Sequence, residues 1–339
     1  MHHIEVHDEP DASARAALHD LSLSLGGGRH RLSERKVAAL DGREPADWSL
    51  LLGRDATATP VPVASAQVEA AAVVRWEHAA GATADAGDAA EDAVDQGPVA
   101  TAELLLPRPE AGAAVLAALE QAVAAHGGGL LHVWAYEEDA AQTLSAAGHD
   151  VVRRLELRAR DLDAPPATPR WPAGVTVAPL ALSRDAEALL AVNNRAFRDH
   201  PEQGGMGLPD LEARARAAWF DPEDVRCAWR DGSLLGFHWL KRHPEGAAEV
   251  PGREPLGEVY VLAVDPAAQG SGLGRALLRH GLAHLRDRGC AEAVLFVEAD
   301  EPAARLYADE GFAVRQRHAC YGRWVGAASS ARGPAGSSL

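Results

Sequence analysis

Lysine is scarce in this chain. Lys36 and Lys241 are the two lysines among 33 basic residues, and arginine carries the rest of the positive charge. With alanine and glycine abundant, that bias marks GC-rich coding and says nothing about function. Aromatic residues make up 5% of a chain that is 47% hydrophobic, so the cores are expected to be aliphatic and close-packed. Cysteine is limited to Cys227, Cys290 and Cys320. An odd number without C-x-x-C spacing argues against a disulfide framework and a structural zinc site, and suits a reducing cytoplasm. No uncharged apolar run reaches the roughly 18 residues of a membrane helix. The opening MHHIEVHDEP has neither the basic nor the apolar region of a secretory signal. The histidines are read as forming no helical H-x-x-x-H or H-E-x-x-H pair, so no metal is expected. A net charge of −16 argues against nucleic acid or an anionic membrane as partner. It leaves room for a local basic pocket.

What is present is length enough for two domains. The 339 residues suit two units of roughly 150 residues each. Residues 79–98 are Ala/Gly/Asp-rich and acidic, and read as a disordered loop. Residues 163–174, DAPPATPRWPAG, hold four prolines and read as a linker between domains at 1–162 and 175–325. Residues 244–257 read as a polar hairpin loop, and 326–339 as a disordered tail. Each half ends in a similar way. Leu131–Arg160 and Leu295–Arg323 both run from an apolar strand through an acidic turn and an Ala-rich helix to a capping glycine, Gly148 or Gly311. A second strand follows in each. The repeat implies two copies of one α/β (α+β) fold.

The second half carries the sharpest motif. A strand, GEVYVLAVD (257–265), is broken by Pro266 and Ala267, and a loop from Gln269 to Arg275 then opens a helix. A glycine-rich turn at a helix N-terminus offers backbone N–H groups and a positive dipole end to an anion. The P-loop pattern is absent. Gly270, Gly272 and Gly274 give G-x-G-x-G rather than the dinucleotide fingerprint G-x-G-x-x-G.

Gln269-x-x-Gly272-x-Gly274 after a strand resembles the Q/R-x-x-G-x-G/A motif of the GCN5-related N-acetyltransferases (GNATs), which binds the pyrophosphate of coenzyme A. Downstream, Asp300-Glu301-Pro302-Ala303-Ala304-Arg305-Leu306-Tyr307 and Gly311-Phe312 are similar to the family's N-E-P-A-x-x-L-Y…G-F element, with Asp300 where the family has Asn. The segments 192–205, 238–243, 257–274 and 32–34 are similar to the mycothiol synthase family, the tandem-domain members of this superfamily. The resemblance implies two tandem GNAT-type domains, each a mixed central β-sheet flanked by helices. It implies an acetyl-CoA site formed by Leu262, Ala263 and Val264, by Gln269, Gly270, Ser271, Gly272, Leu273, Gly274 and Arg275, and by Asp300 and Arg305. An oxyanion would be held by a backbone N–H near Leu262. The implied activity is acetyl transfer to the cysteinyl amine of desacetylmycothiol, a small-molecule acceptor, by an enzyme expected to be monomeric.

That chemistry needs a base for an amine that is mostly protonated at neutral pH, and an acid for the departing thiolate. The residues alone read Glu258 first as a solvent-facing edge-strand carboxylate and Tyr307 as a core tyrosine with a satisfied hydroxyl. The resemblance makes Glu258 the base and Tyr307 the acid. It also carries acceptor contacts onto Glu34, Glu202 and Lys241, with Glu258 and Tyr307 beside the acceptor. By itself, Glu34 in LSERKVAAL reads as part of a helix-starting capping box, and Lys241 as a solvated strand-end lysine. Two alternatives remain at this point: the same chemistry on another small amine or a peptide N-terminus, and a non-catalytic acetyl-CoA sensor. The first half is expected to be degenerate. Leu144 stands where Tyr307 stands, and PRPEAG (107–112) replaces the glycine loop, with Pro107 and Pro109 lacking N–H groups and Glu110 repelling phosphate.

Overall fold

The computed structural model describes residues 2–7, 12–25, 48–55, 68, 70–77, 99–106, 108–198, 200, 204–243 and 252–328. The acidic stretch 79–98, Glu34, Glu202, most of 244–257 and the tail from 329 onward lie outside the described residues. The chain divides into two compact units. Unit 1 comprises residues 1–155 and 318–339, and unit 2 comprises 156–317.

Unit 1 contains β1 (His2–His7), α1 (Ala12–Leu25), β2 (Trp48–Asp55), β3 (Ala70–Glu77), β4 (Val99–Leu105), α2 (Gly112–Ala125), β5 (Gly129–Ala135) and α3 (Glu138–Ala146). It is completed by the first half of β6 (Asp150–Asp161) and the last part of β12 (Ala313–Val325). Its sheet runs β1-β2-β3-β4-β5-β12-β6. The Leu-Leu-Leu run in β2 shows why both faces need cover. Leu51 joins a core with Val115, Leu116, Leu119 and Leu144 from α2 and α3. Its neighbours Leu50 and Leu52 point to the other face, against Leu18 and Leu21 of α1.

Unit 2 contains β7 (Thr176–Pro179), α4 (Leu182–Ala196), α5 (Leu208–Ala215), β8 (Val225–Arg230), β9 (Ser233–Arg242), β10 (Leu256–Val264), α6 (Leu273–Asp287), β11 (Glu292–Glu298) and α7 (Pro302–Asp309). The second half of β6 and the start of β12 complete it, in the order β7-β8-β9-β10-β11-β6-β12. Leu240, Val259, Leu278, Leu282, Leu295 and Tyr307 form the core on the α6 and α7 face. Leu189, Val192, Phe237, Trp239, Val261 and Ala263 form the core on the α4 face.

The terminal repeat is regular. β5 and β6 begin at Gly129 and Asp150, β11 and β12 at Glu292 and Ala313, the same interval in both units. Gly148 and Gly311 end the intervening helices at φ of 80° and 87°. The N–H groups of His149 and Phe312 then return to Leu144 O and Tyr307 O at 3.0 Å each. The proline-rich stretch 163–174 has no regular structure, and it lies inside unit 2. The boundaries of the two units fall within β6 and β12. Leu256, read from sequence as part of a loop, opens β10 one residue before Gly257.

One buried group ties unit 2 to pH. His238 is fully buried and donates through Nδ1 to Leu277 O at 3.0 Å. Gly281 makes room for it, because a Cβ there would lie 2.0 Å from that nitrogen. Burial pushes the imidazole down to about 3. The folded value lies below the unfolded one, so its contribution is complete above about pH 6.5 and is lost as pH falls toward 3. Stability should decline by up to about 1.4 kcal/mol per pH unit across that window. Urea unfolding between pH 7 and 4 should show this slope, and His238→Gln should flatten it. An equal slope in both proteins would refute the assignment.

Candidate active site

β10 sets the geometry. It pairs in parallel with β11 from Leu256/Glu292 to Glu258/Val294. Beyond Glu258 its ladder continues on the β9 side, as far as Val264/Gly236. That ladder shifts register between Val259 and Val261, a bulge that places Tyr260 between two paired neighbours. Leu262, Ala263 and Val264 therefore lie on the stretch where β10 and β11 have parted.

The loop at the open end is rigidly built. Asp265 Oδ1 accepts from Ala267 N at 2.9 Å, and Asp265 Oδ2 is held by Arg195 at 2.8 and 2.5 Å. Burial alone would raise the Asp265 carboxyl. The bonds from Ala267 N–H and Arg195 outweigh it and keep the group below the usual carboxylate range. Gln269 Nε2 donates to Val264 O at 3.3 Å, and Ser271 Oγ to Ala268 O at 2.6 Å. Both side chains brace the loop from within. Gly272 caps α6 at φ 86°, a left-handed conformation that glycine adopts without a Cβ penalty. No side chain caps this end and no acidic residue occupies the first turn, so the N–H groups from Leu273 onward face out at the positive end of the helix dipole.

Arg275 contributes its backbone to this turn but commits its side chain elsewhere. The guanidinium bonds Glu310 at 2.6 Å and Asp309 at 2.9 Å, and Arg279 bonds Glu310 as well, at 2.9 Å. Burial would raise Glu310, but Arg279 and Arg275 hold it below its ordinary value. These pairs strap α6 to the end of α7.

α7 presents two different faces. Asp300 and Arg305 line a cleft of about 490 Å³ with Arg158, Glu301, Pro302 and Ala308. Arg158 is oriented there by Glu156 at 2.6 Å and by Ala304 O at 3.1 Å. Tyr307 turns instead into the apolar core, edge-on to Phe312 with ring centroids 5.9 Å apart. Burial pushes its hydroxyl up to about 12, so it stays protonated. Among the described residues that hydroxyl has no hydrogen-bond partner.

The opposite face of β10 carries Glu258. It stands across from Lys241 in the β9 ladder, and its Oε2 lies 2.9 Å from His243 Nε2. Lys241 is buried, with Nζ 5.1 Å from the centre of the Trp219 ring, and Tyr260 meets Trp219 edge-on at 5.0 Å. The structure thus joins Glu258 and Lys241 on one face. It sets Tyr307 on the other, beside Val259 and Leu240, which adjoin them in sequence. Sequence reasoning missed His243, Trp219 and Tyr260. Strand alternation in W-x-K-x-H (239–243) was the signal for His243, since it puts Trp239, Lys241 and His243 on one face.

The metal reading needs one correction. His280 and His284 do stand four apart on α6. His284 is taken up by Asp224 at 2.7 Å and Arg226 at 3.1 Å, while His280 meets the Trp171 ring. Among the described residues no group of His, Cys, Asp and Glu is arranged to hold a metal ion. No helix is long and apolar enough to cross a membrane.

Residues 189–312 match the model of the acetyltransferase (GNAT) family. Over 199 residues the chain is 46% identical to the mycothiol acetyltransferase of Thermomonospora curvata, a match covering 58% of this chain and 64% of that protein, just under two thirds of its length. It is 43% identical to the mycothiol acetyltransferase of Acidothermus cellulolyticus, over 67% of this chain and 72% of the relative. The mycothiol acetyltransferase of Cellulomonas flavigena is 41% identical over 74% of each chain. A GCN5-related N-acetyltransferase from Sphaerobacter thermophilus superposes with a TM-score of 0.65, covering 95% of this chain and 96% of that one at 19% identity. A tandem GNAT protein from the clavulanic acid biosynthesis pathway gives 0.64 over 97% and 100%, at 16% identity. At these identities the two structures share the fold. The chain belongs to the mycothiol acetyltransferase family of GNAT acetyltransferases.

Proposed function

We propose that unit 2 transfers the acetyl group of acetyl-CoA to the cysteinyl amine of desacetylmycothiol, a cysteinyl-glucosaminyl-inositol. The carrying observation is the loop at Gly270 and Gly272. Both glycines are left-handed, at φ 73° and 86°, and a Cβ on either would meet no protein atom within 4 Å. Open space in front of uncapped helix N–H groups suits a pyrophosphate. The names of the relatives support the acceptor.

Acetyl-CoA supplies the acetyl group as a thioester. Loop residues 269–275 hold its pyrophosphate, and Leu262 to Val264 offer backbone groups beside the parted strands. Asp300 and Arg305 flank its path along α7. Glu258 takes a proton from the acceptor ammonium, directly or through water, and so exposes the nitrogen lone pair. The C–N bond forms and the C–S bond breaks. Tyr307 gives its proton to the departing sulfur and is reprotonated as the nitrogen sheds its second proton. The net release is one proton to solvent. Lys241, and Glu34 and Glu202 outside the described residues, are the proposed acceptor contacts.

The test is a thiol-release assay with acetyl-CoA and a panel of amines. Desacetylmycothiol should be acetylated with the highest kcat/KM. Preference for another amine, or for a peptide N-terminus, would overturn the acceptor. Binding of acetyl-CoA without transfer to any amine would mark a sensor.

A further inference from the structure

We propose that His243 is a positioning residue for Glu258, an inference that rests on the reading of Glu258 as the base. The pair sits where β9 ends. His243 N donates to Leu256 O at 2.9 Å, which carries the antiparallel ladder one residue beyond Arg242. Strand alternation turns His243 to the same face as Lys241, and Lys241 stands across from Glu258. The His243 side chain is 1% exposed and that of Glu258 is 12% exposed. Between them lies a single bond, Nε2 to Oε2, at 2.9 Å.

The consequence lies in the other oxygen. Among the described residues Glu258 Oε1 has no hydrogen-bond partner. A carboxylate on a two-carbon stem can rotate about its last bond. Pinning Oε2 with a buried ring N–H stops that rotation and leaves Oε1 fixed toward the acceptor. The histidine itself is too enclosed to meet substrate. It acts through the carboxylate, and a misplacement of about 1 Å at a reacting group can lower turnover about 100-fold.

The experiment is a double-mutant cycle in the full chain, read in kcat, in KM for each substrate, and in acetyl-CoA affinity. His243→Phe fills the buried space without the N–H, and His243→Gln restores a donor. In the wild-type background His243→Phe should lower kcat by up to about 100-fold while acetyl-CoA affinity stays within a factor of about 2. His243→Gln should recover most of that loss. In the Glu258→Gln background, adding His243→Phe should cost less than a factor of about 2, because the group it orients no longer acts as a base. If His243→Phe does not bind acetyl-CoA, His243→Leu takes its place. An unchanged kcat, an equal loss in both backgrounds, or a Gln variant no better than Phe would overturn the proposal. Failure of the wild-type chain to acetylate any amine would overturn the reading of the base itself.

Discussion

Gly272→Val should abolish acetyl-CoA binding by the whole chain, and the unaltered protein should titrate with one acetyl-CoA per chain. The substitution acts twice. A β-branched residue at φ 86° is strained, at a cost on the order of 1–3 kcal/mol, and its side chain would project into the open space before the helix N–H groups. Unit 1 should not compensate. Its β4–β5 ladder holds from Ala100/Leu131 to Glu103/Trp134, so those strands stay joined almost to the end of β4. A tight turn at Pro109–Ala111 then runs straight into α2, with Gly112 at an ordinary helical φ of −58°. A Cβ on Gly112 would meet Thr143 Oγ1 at 2.9 Å and Leu106 Cδ1 at 3.0 Å, so protein atoms fill the space that is open in unit 2. Pro109 removes a donor, and Glu110 places a negative charge in the tight turn just before α2. Calorimetric titration of both proteins, with circular dichroism as the control for folding, decides the matter. A second site of comparable affinity that survives Gly272→Val would sink the idea.

Tyr307→Phe should separate turnover from stability. The phenol sits in an apolar core and its hydroxyl has no partner among the described residues, so phenylalanine fits the same space. Removing a hydroxyl that makes no hydrogen bond among the described residues should leave Tm nearly unchanged. Acetyl-CoA affinity should hold. The lost proton donor should lower kcat by roughly 10²–10⁴-fold. Glu258→Gln should fall in the same range while keeping its bond to His243 through the amide oxygen. Part of its loss should return at higher pH, since an α-amino group titrates near about 7.7–8 and then needs no base. If both variants kept kcat within a factor of about 2, the acid and base would have to be sought elsewhere.

Much of this site is legible in the chain because its parts are local. A strand, a proline break, three glycines and an amphipathic helix follow one another in 257–287, and short-range geometry forces the loop they make. The repeated strand–helix–glycine–strand pattern reads directly for the same reason. So does the contrast between Leu144 and Tyr307, each held four residues before a capping glycine. Neighbouring residues determine all of these.

What the chain alone did not reveal depends on which distant strands meet. Composition marks a proline-rich stretch at 163–174, which falls in unit 2, while the boundaries of the two units fall within β6 and β12. Strand partners across more than a hundred residues leave no local mark. Arg275 reads as a cofactor contact from its place in the motif. Its guanidinium goes to Asp309 and Glu310 because the end of α7 packs beside the start of α6. His243 pairs with Glu258 only because β9 and β10 align Lys241 with Glu258 and carry the ladder one residue further. Local sequence was enough to mark the glycine-rich turn before α6, the repeated strand–helix–glycine–strand unit, and Glu258 and Tyr307 as candidates for base and acid. Only the folded chain settles where β10 parts from β11 and which side chain holds Glu258, because both follow from pairing register between strands, a long-range property.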